Sequence, residues 1–157
     1  MTTSNHSALD GLPGSLRGLR ALFRSLPAAG APPVPGAYRV TFVGPAALRI
    51  AAPRVIALGG MPNWYGKRFD PDGTAVNLLG EGAALREVLP MCVAAEASWL
   101  DGRPATVVSY GADGPVPWRW VRDEFRPLDA STLLGLTFAV APASRVLASP
   151  FVLVRQD

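Results

Sequence analysis

The 157-residue chain holds one cysteine, one histidine and one lysine. With Cys92 alone no intrachain disulfide can form, and an oxidising destination is not implied. Its alternation with Met91 and Val93 predicts a small hydrophobe packed in a strand. His6 falls in a polar stretch, residues 1–12, that is expected to be flexible. So few groups cannot assemble a Cys/His zinc site or a triad built on histidine. Charge is also scarce: Asp, Glu, Lys and Arg make up 17% of the chain, and no basic run exceeds Lys67-Arg68 despite a net charge of +3. Phosphate backbones need a clustered basic face, so nucleic acid is excluded as a partner. No apolar run approaches the roughly 20 residues that span a bilayer. The first residues lack the basic start and apolar core of a secretory signal, which points to the cytoplasm. Gly59-Gly60 and Gly80-Glu81-Gly82 have neither the spacing nor the following helix of a phosphate loop, and no cofactor is called for. Arginine in place of lysine, with abundant Ala, Gly and Pro, fits a GC-rich bacterial coding sequence.

What is present is apolar residue, 49% of the chain, enough to bury the core of one domain. The shortage of charge favours a lined internal cavity or a partner surface, a homodimer included. From Pro13 to Leu26, Leu16, Leu19, Leu22, Phe23 and Leu26 recur at helical spacing with Arg17, Arg20 and Arg24 opposite them, which predicts an amphipathic helix over 13–26. Pro27 ends it, and 27–36 reads as a proline-rich linker. Beyond Gly36 short extended runs are separated by turn residues. Residues 37–44 alternate as a half-buried strand, and 47–60 fits either an interrupted helix or a bent strand, with Pro53 against an unbroken element. Strands 63–69 and 74–79 flank the turn Asp70-Pro71-Asp72-Gly73, and 89–100 and 103–111 are joined by Asp101-Gly102. Residues 116–128, 131–140 and 149–157 complete the set. About eight closely spaced strands after one helix predict a mainly β fold over 13–157, a single antiparallel up-and-down β-barrel. The helix can lie across an open end, as a lid, or against the outer wall.

Two stretches concentrate polar chemistry. In 117–126, strict alternation gives one face to Trp118, Trp120, Arg122, Glu124 and Arg126, and the other to Arg119, Val121, Asp123 and Phe125. If the first face points inward, Glu124 lies between two arginines beneath a tryptophan shelf and suits a partly apolar ligand with a carboxylate, phenol or carbonyl. If it points outward, the same residues form cross-strand ion pairs at the surface. Asp123-Glu124 cannot form a metal site alone, because neighbours in a strand diverge. In 63–69, alternation separates Trp64, Gly66 and Arg68 from Tyr65, Lys67 and Phe69. Lys67 in an apolar wall would have a lowered pKa and serve as base or nucleophile; alternatively it extends its stem and keeps its ammonium in water. Tyr65, Tyr110 and Tyr38 are donors for a buried carbonyl, and Asn77 can orient a ligand or serve as a turn residue. Met61 and Met91 line a pocket or fill the core.

The Trp-x-Gly of NWYG (63–66) on a strand, with Arg155 on the last strand, resembles the lipocalin-like, or calycin, barrels. Pro62 stands where the usual pattern has glycine. The resemblance covers 37–157 and implies a tryptophan packed under an arginine from the end of the barrel, with a small hydrophobic ligand inside. Its haem-binding branch needs a histidine near the mouth, which His6 is poorly placed to supply. Similar barrels include cofactor-free cyclases and decarboxylases. The expected function is therefore binding of an apolar small molecule, as a carrier or as a cyclase or isomerase that holds a flexible substrate in reactive shape. Tyr65, Tyr110, Arg122 and Glu124 are the candidate catalytic groups, and Trp64, Lys67, Asn77, Met91, Trp118, Trp120 and Arg126 the candidate ligand contacts. A non-catalytic interaction module with a filled core is the alternative.

Overall fold

The computed structural model describes residues 5–29, 31–139 and 148–157, with side chains from residue 8 onward. The side chain of His6 and the last position of the expected strand 131–140 lie outside that set. Eight strands follow in chain order: β1 (Gly36–Phe42), β2 (Trp64–Phe69), β3 (Thr74–Leu79), β4 (Arg86–Ala97), β5 (Pro104–Ser109), β6 (Val121–Pro127), β7 (Thr132–Ala139) and β8 (Ser149–Arg155). Each pairs antiparallel with the next, and β8 returns to β1 to close the barrel. The fold is the mainly β, up-and-down closed barrel that the spacing of short alternating runs predicts.

Among the described residues three α-helices accompany it: α1 (Asn5–Asp10), α2 (Leu16–Ser25) and α3 (Ala46–Leu58). No helix among the described residues is long and apolar enough to cross a membrane. The placement of α2 follows from β7 and β8, whose near-continuous apolar runs require cover on both faces. Their inward residues Leu133, Phe151 and Leu153 join the lumen cluster, whereas Leu134, Leu136, Phe138, Val152 and Val154 face outward and are covered by Leu19 and Phe23 of α2. Ser15 caps the helix by accepting from Gly18 N at 3.0 Å. At its other end Arg126 donates to the Phe23 carbonyl at 2.9 Å and Arg103 to that of Arg24 at 2.6 Å, satisfying carbonyls that the helix leaves free. Thus α2 takes the outer wall, not an end.

The ambiguous segment 47–60 is helical and runs through Pro53. That proline removes one backbone bond, but it is exposed, and the carbonyl it leaves belongs to Arg49, which is exposed as well. In the expected strand 116–128, only Val121–Pro127 is extended; Trp118–Trp120 forms a 3-10 turn, so the two tryptophans do not continue the face of β6.

Two irregularities set what faces inward. The β2–β3 register shifts between Trp64 and Gly66, and the β3–β4 register shifts between Val76 and Asn77, where Leu89 is the extra residue at φ +52. Gly66 is required at the first: a Cβ there would lie 1.9 Å from the Tyr38 carbonyl oxygen. The shift turns Trp64 inward together with Lys67, against strict alternation. Towards the Gly36 end, the lumen is filled by edge-to-face rings: Tyr38–Phe69 at 5.3 Å, Phe69–Phe125 at 6.0 Å and Phe125–Phe151 at 5.5 Å. Gly135 makes this stack fit, since a Cβ would meet the Phe125 ring at 2.7 Å.

Candidate functional site

Above the aromatic stack the lumen carries a polar layer, one group from each of several strands. β2 contributes Lys67, β3 Asn77, β4 Met91, β6 Asp123 and β7 Thr137, with Tyr110 just beyond β5. The Lys67 ammonium, 1% exposed, lies 3.0 Å from Asp123 Oδ2 and donates to Asn77 Oδ1 at 3.1 Å, with Met91 Sδ at 3.4 Å. Asn77 Oδ1 also accepts from Trp64 Nε1 at 3.1 Å, and its Nδ2 donates to the Tyr110 oxygen at 2.9 Å. Thr137 Oγ1 donates to Asp123 Oδ1 at 2.8 Å, so both carboxylate oxygens are engaged. The ammonium also lies 5.4 Å from the Trp64 ring centre and 5.8 Å from that of Tyr110, favourable for cation–π attraction.

This layer is the floor of a chamber of about 320 Å³ towards the other end of the barrel. Its wall is apolar, made by Phe42, Trp64, Phe151, Trp118 and Val121, and one side is formed by α3 through Leu48, Ala51, Ala52, Val55 and Ile56. Trp118 is held there by its Nε1, which donates to the Gly59 carbonyl at 2.8 Å just beyond α3. The volume falls at the lower end of the range of about 300–1,000 Å³ typical of small-molecule sites.

The electrostatics correct both expectations for Lys67. Burial works to strip its proton, but Tyr110 and the Asp123 carboxylate outweigh it and hold the ammonium above the ordinary lysine range. The amine is neither a free base nor in water; it is a fixed buried cation. Burial pushes the Tyr110 phenol up, against the lowering pull of Lys67, so its hydroxyl keeps its proton.

The other expected residues fall elsewhere. On β6 the inward face is Val121, Asp123 and Phe125, because α2 and the β4–β5 hairpin cover the opposite one. Glu124 is buried outside the lumen, accepting from Trp99 N at 2.7 Å, from Ser98 Oγ and from Arg122 Nε at 3.1 Å. Arg122 also bonds Glu96 at 2.7 Å and stacks over Trp99 at 4.5 Å. Arg126 holds Asp101 at 2.6 and 2.8 Å. These three arrange the outer wall. Tyr65 is half-buried on the outside beside Arg39, and Trp120 is 46% exposed. Cys92 is exposed, not packed, because the side of β4 on which it lies has no cover. Met61 is buried and lines the chamber. The expected tryptophan–arginine pair is not formed: Trp64 packs on Phe42 and Phe151, whereas Arg155 pairs with Tyr38 further down β1.

Asp123 and Thr137 were not among the expected site residues. The available signal was that Asp123 shares its face with Val121 and Phe125, an apolar setting in which a lone carboxylate needs a cation, and the chain has one lysine.

The geometry defines an eight-stranded closed barrel with a part-filled lumen. A solved structure of the same fold is "Crystal structure of protein from Thermomonospora curvata", 22% identical, with a TM-score of 0.56 over 87% of this chain and 84% of that one. No protein-family profile and no curated protein matches the chain.

Proposed function

We propose that this chain encloses an apolar small molecule in the α3 half of its barrel, as a carrier or as a cofactor-free enzyme that holds the molecule in a bent, reactive shape. The observation that carries this reading is the chamber itself, with largely apolar walls, Ser149 apart, and a polar floor where Lys67, Asp123, Thr137 and Tyr110 meet. A second space of about 290 Å³ lies at the Gly36 end, under linker residues 28–29 and 31–34 and against Tyr38, Phe125 and Leu133, but no buried ion pair among the described residues lies at its base. Any chemistry is cyclisation or isomerisation, in which Tyr110 polarises the substrate while the wall sets its shape. Lys67 acts by charge, since its proton is held. The closed meander supports kinship with the lipocalin-like barrels, which belongs to the same proposal.

The test is native mass spectrometry of the purified protein, with and without added lipophilic probes, alongside Trp64 and Trp118 emission. A saturable one-to-one complex is expected, and Ala52→Trp, which fills the chamber from α3, should abolish it with the fold intact. Absence of any complex, or one that Ala52→Trp leaves unchanged, would overturn the reading.

A further inference from the structure

We infer that the chamber selects an uncharged ligand whose polar group is a single acceptor oxygen, a ketone or ester carbonyl, received by the Tyr110 hydroxyl, and that it rejects free carboxylates and amines. This rests on the reading of the chamber as a binding site.

The charges at the floor already cancel. Lys67 and Asp123 lie 3.0 Å apart and are 1% and 4% exposed, so one cation faces one anion out of water. A ligand carboxylate would add a second negative group around one ammonium, beside an Asp123 that cannot move away. An amine would set up the mirror conflict. Either ligand would be stripped of water and left without a counter-charge, which costs far more than burying a neutral group.

Donor bookkeeping narrows the polar group further. The ammonium is ringed by Asp123 Oδ2, Asn77 Oδ1, Met91 Sδ and the Tyr110 oxygen, so none of its three hydrogens is left for a guest. Thr137 Oγ1 is spent on Asp123, and Trp64 Nε1 on Asn77. Tyr110 differs. Its oxygen accepts from Asn77 Nδ2 at 2.9 Å and faces the Lys67 ammonium, and both of these are donors. Among the described residues, none accepts the Tyr110 hydrogen. Two hydroxyls that line the chamber, those of Tyr110 and Ser149, are left for a guest, and that of Tyr110 is the buried one, at the floor beside the ion pair.

The test uses four probes of matched length at about pH 8: nonyl methyl ketone, decanoate, decylammonium and undecane. The ketone should bind most tightly, with decanoate and decylammonium each at least about tenfold weaker. Its carbonyl stretch should move to lower wavenumber on binding, relative to the ketone in hydrocarbon. Tyr110→Phe should reverse that movement and weaken the ketone towards undecane while leaving undecane itself unchanged. Decanoate binding as well as the ketone would overturn the inference, as would a ketone whose affinity and stretch ignore Tyr110→Phe. Failure of all four probes, undecane included, would instead remove the binding reading on which the inference rests.

Discussion

Lys67 and Asp123 meet across the barrel: their strands, β2 and β6, stand four places apart in a ring of eight, and the 3.0 Å contact therefore ties opposite walls together. No backbone ladder links these strands, so the ion pair is a cross-brace that hydrogen bonding between neighbours cannot replace. It also divides the lumen, with packed rings on one side and the chamber on the other.

A buried pair of this kind is costly to break and cheap to replace. Lys67→Met leaves Asp123 desolvated without a cation, and Asp123→Leu does the converse; each should lose about 3–5 kcal/mol of unfolding free energy. The double variant removes both charges together and should recover most of that loss, so the two effects are far from additive. Denaturant unfolding of the three variants checks this. Single losses that simply add would show that the two groups do not act as a pair.

The same layer predicts the alkaline limit of the fold. Lys67 and Tyr110 both hold their protons more tightly in the folded chain than at their ordinary values of 10.5 and 10.0. The folded state then binds more protons than the unfolded one above about pH 10, so stability falls as pH rises. The contribution is complete below the unfolded values and is lost as pH climbs through the folded ones. Thermal melts between about pH 8 and 11.5 should show a plateau and then a decline. In Lys67→Met/Asp123→Leu/Tyr110→Phe the decline should be shallower, with Tyr38, also raised by burial, still contributing. An unchanged slope would show that neither group governs the limit.

Much of the architecture was legible because it rests on local rules. The alternation of Tyr38, Val40 and Phe42, the Asp70-Pro71-Asp72-Gly73 turn and the Asp101-Gly102 turn each specify a strand or hairpin without reference to distant residues. The site was legible only in part. Trp64, Lys67, Asn77, Met91 and Tyr110 were expected to contact a ligand or donate to one, and they do converge at one layer. Their partner Asp123 was hidden because the link from β2 to β6 is a property of ring closure, which no local pattern encodes. The inward face of β6 was equally undetermined, since both faces mix aromatic and charged residues. What decides it is α2 and the β4–β5 hairpin, which bury Glu124 and Arg126 on the outside through contacts distant in sequence. The register shift at Trp64–Gly66 then broke the period of two on which every assignment in 63–69 depended.

That shift can be tested at its one indispensable residue. Gly66 sits at φ +154, and a Cβ there would fall 1.9 Å from the carbonyl oxygen of Tyr38, a backbone atom that cannot swing aside. Gly66→Ala must therefore either part β1 from β2 or undo the shift and turn Trp64 away from Asn77 and Lys67. Conformational strain and overpacking together should cost about 3 kcal/mol or more. Gly102→Ala provides the comparison: its φ is +76, yet nothing lies within 4 Å of the new methyl group, so only the left-handed backbone cost of about 1–2 kcal/mol applies. Unfolding free energies of the two variants, with Trp64 emission as a local reporter, separate the effects. Equal losses with unaltered emission would show that close approach to Tyr38 does not hold the shift in place, and that Trp64 is turned inward by other means.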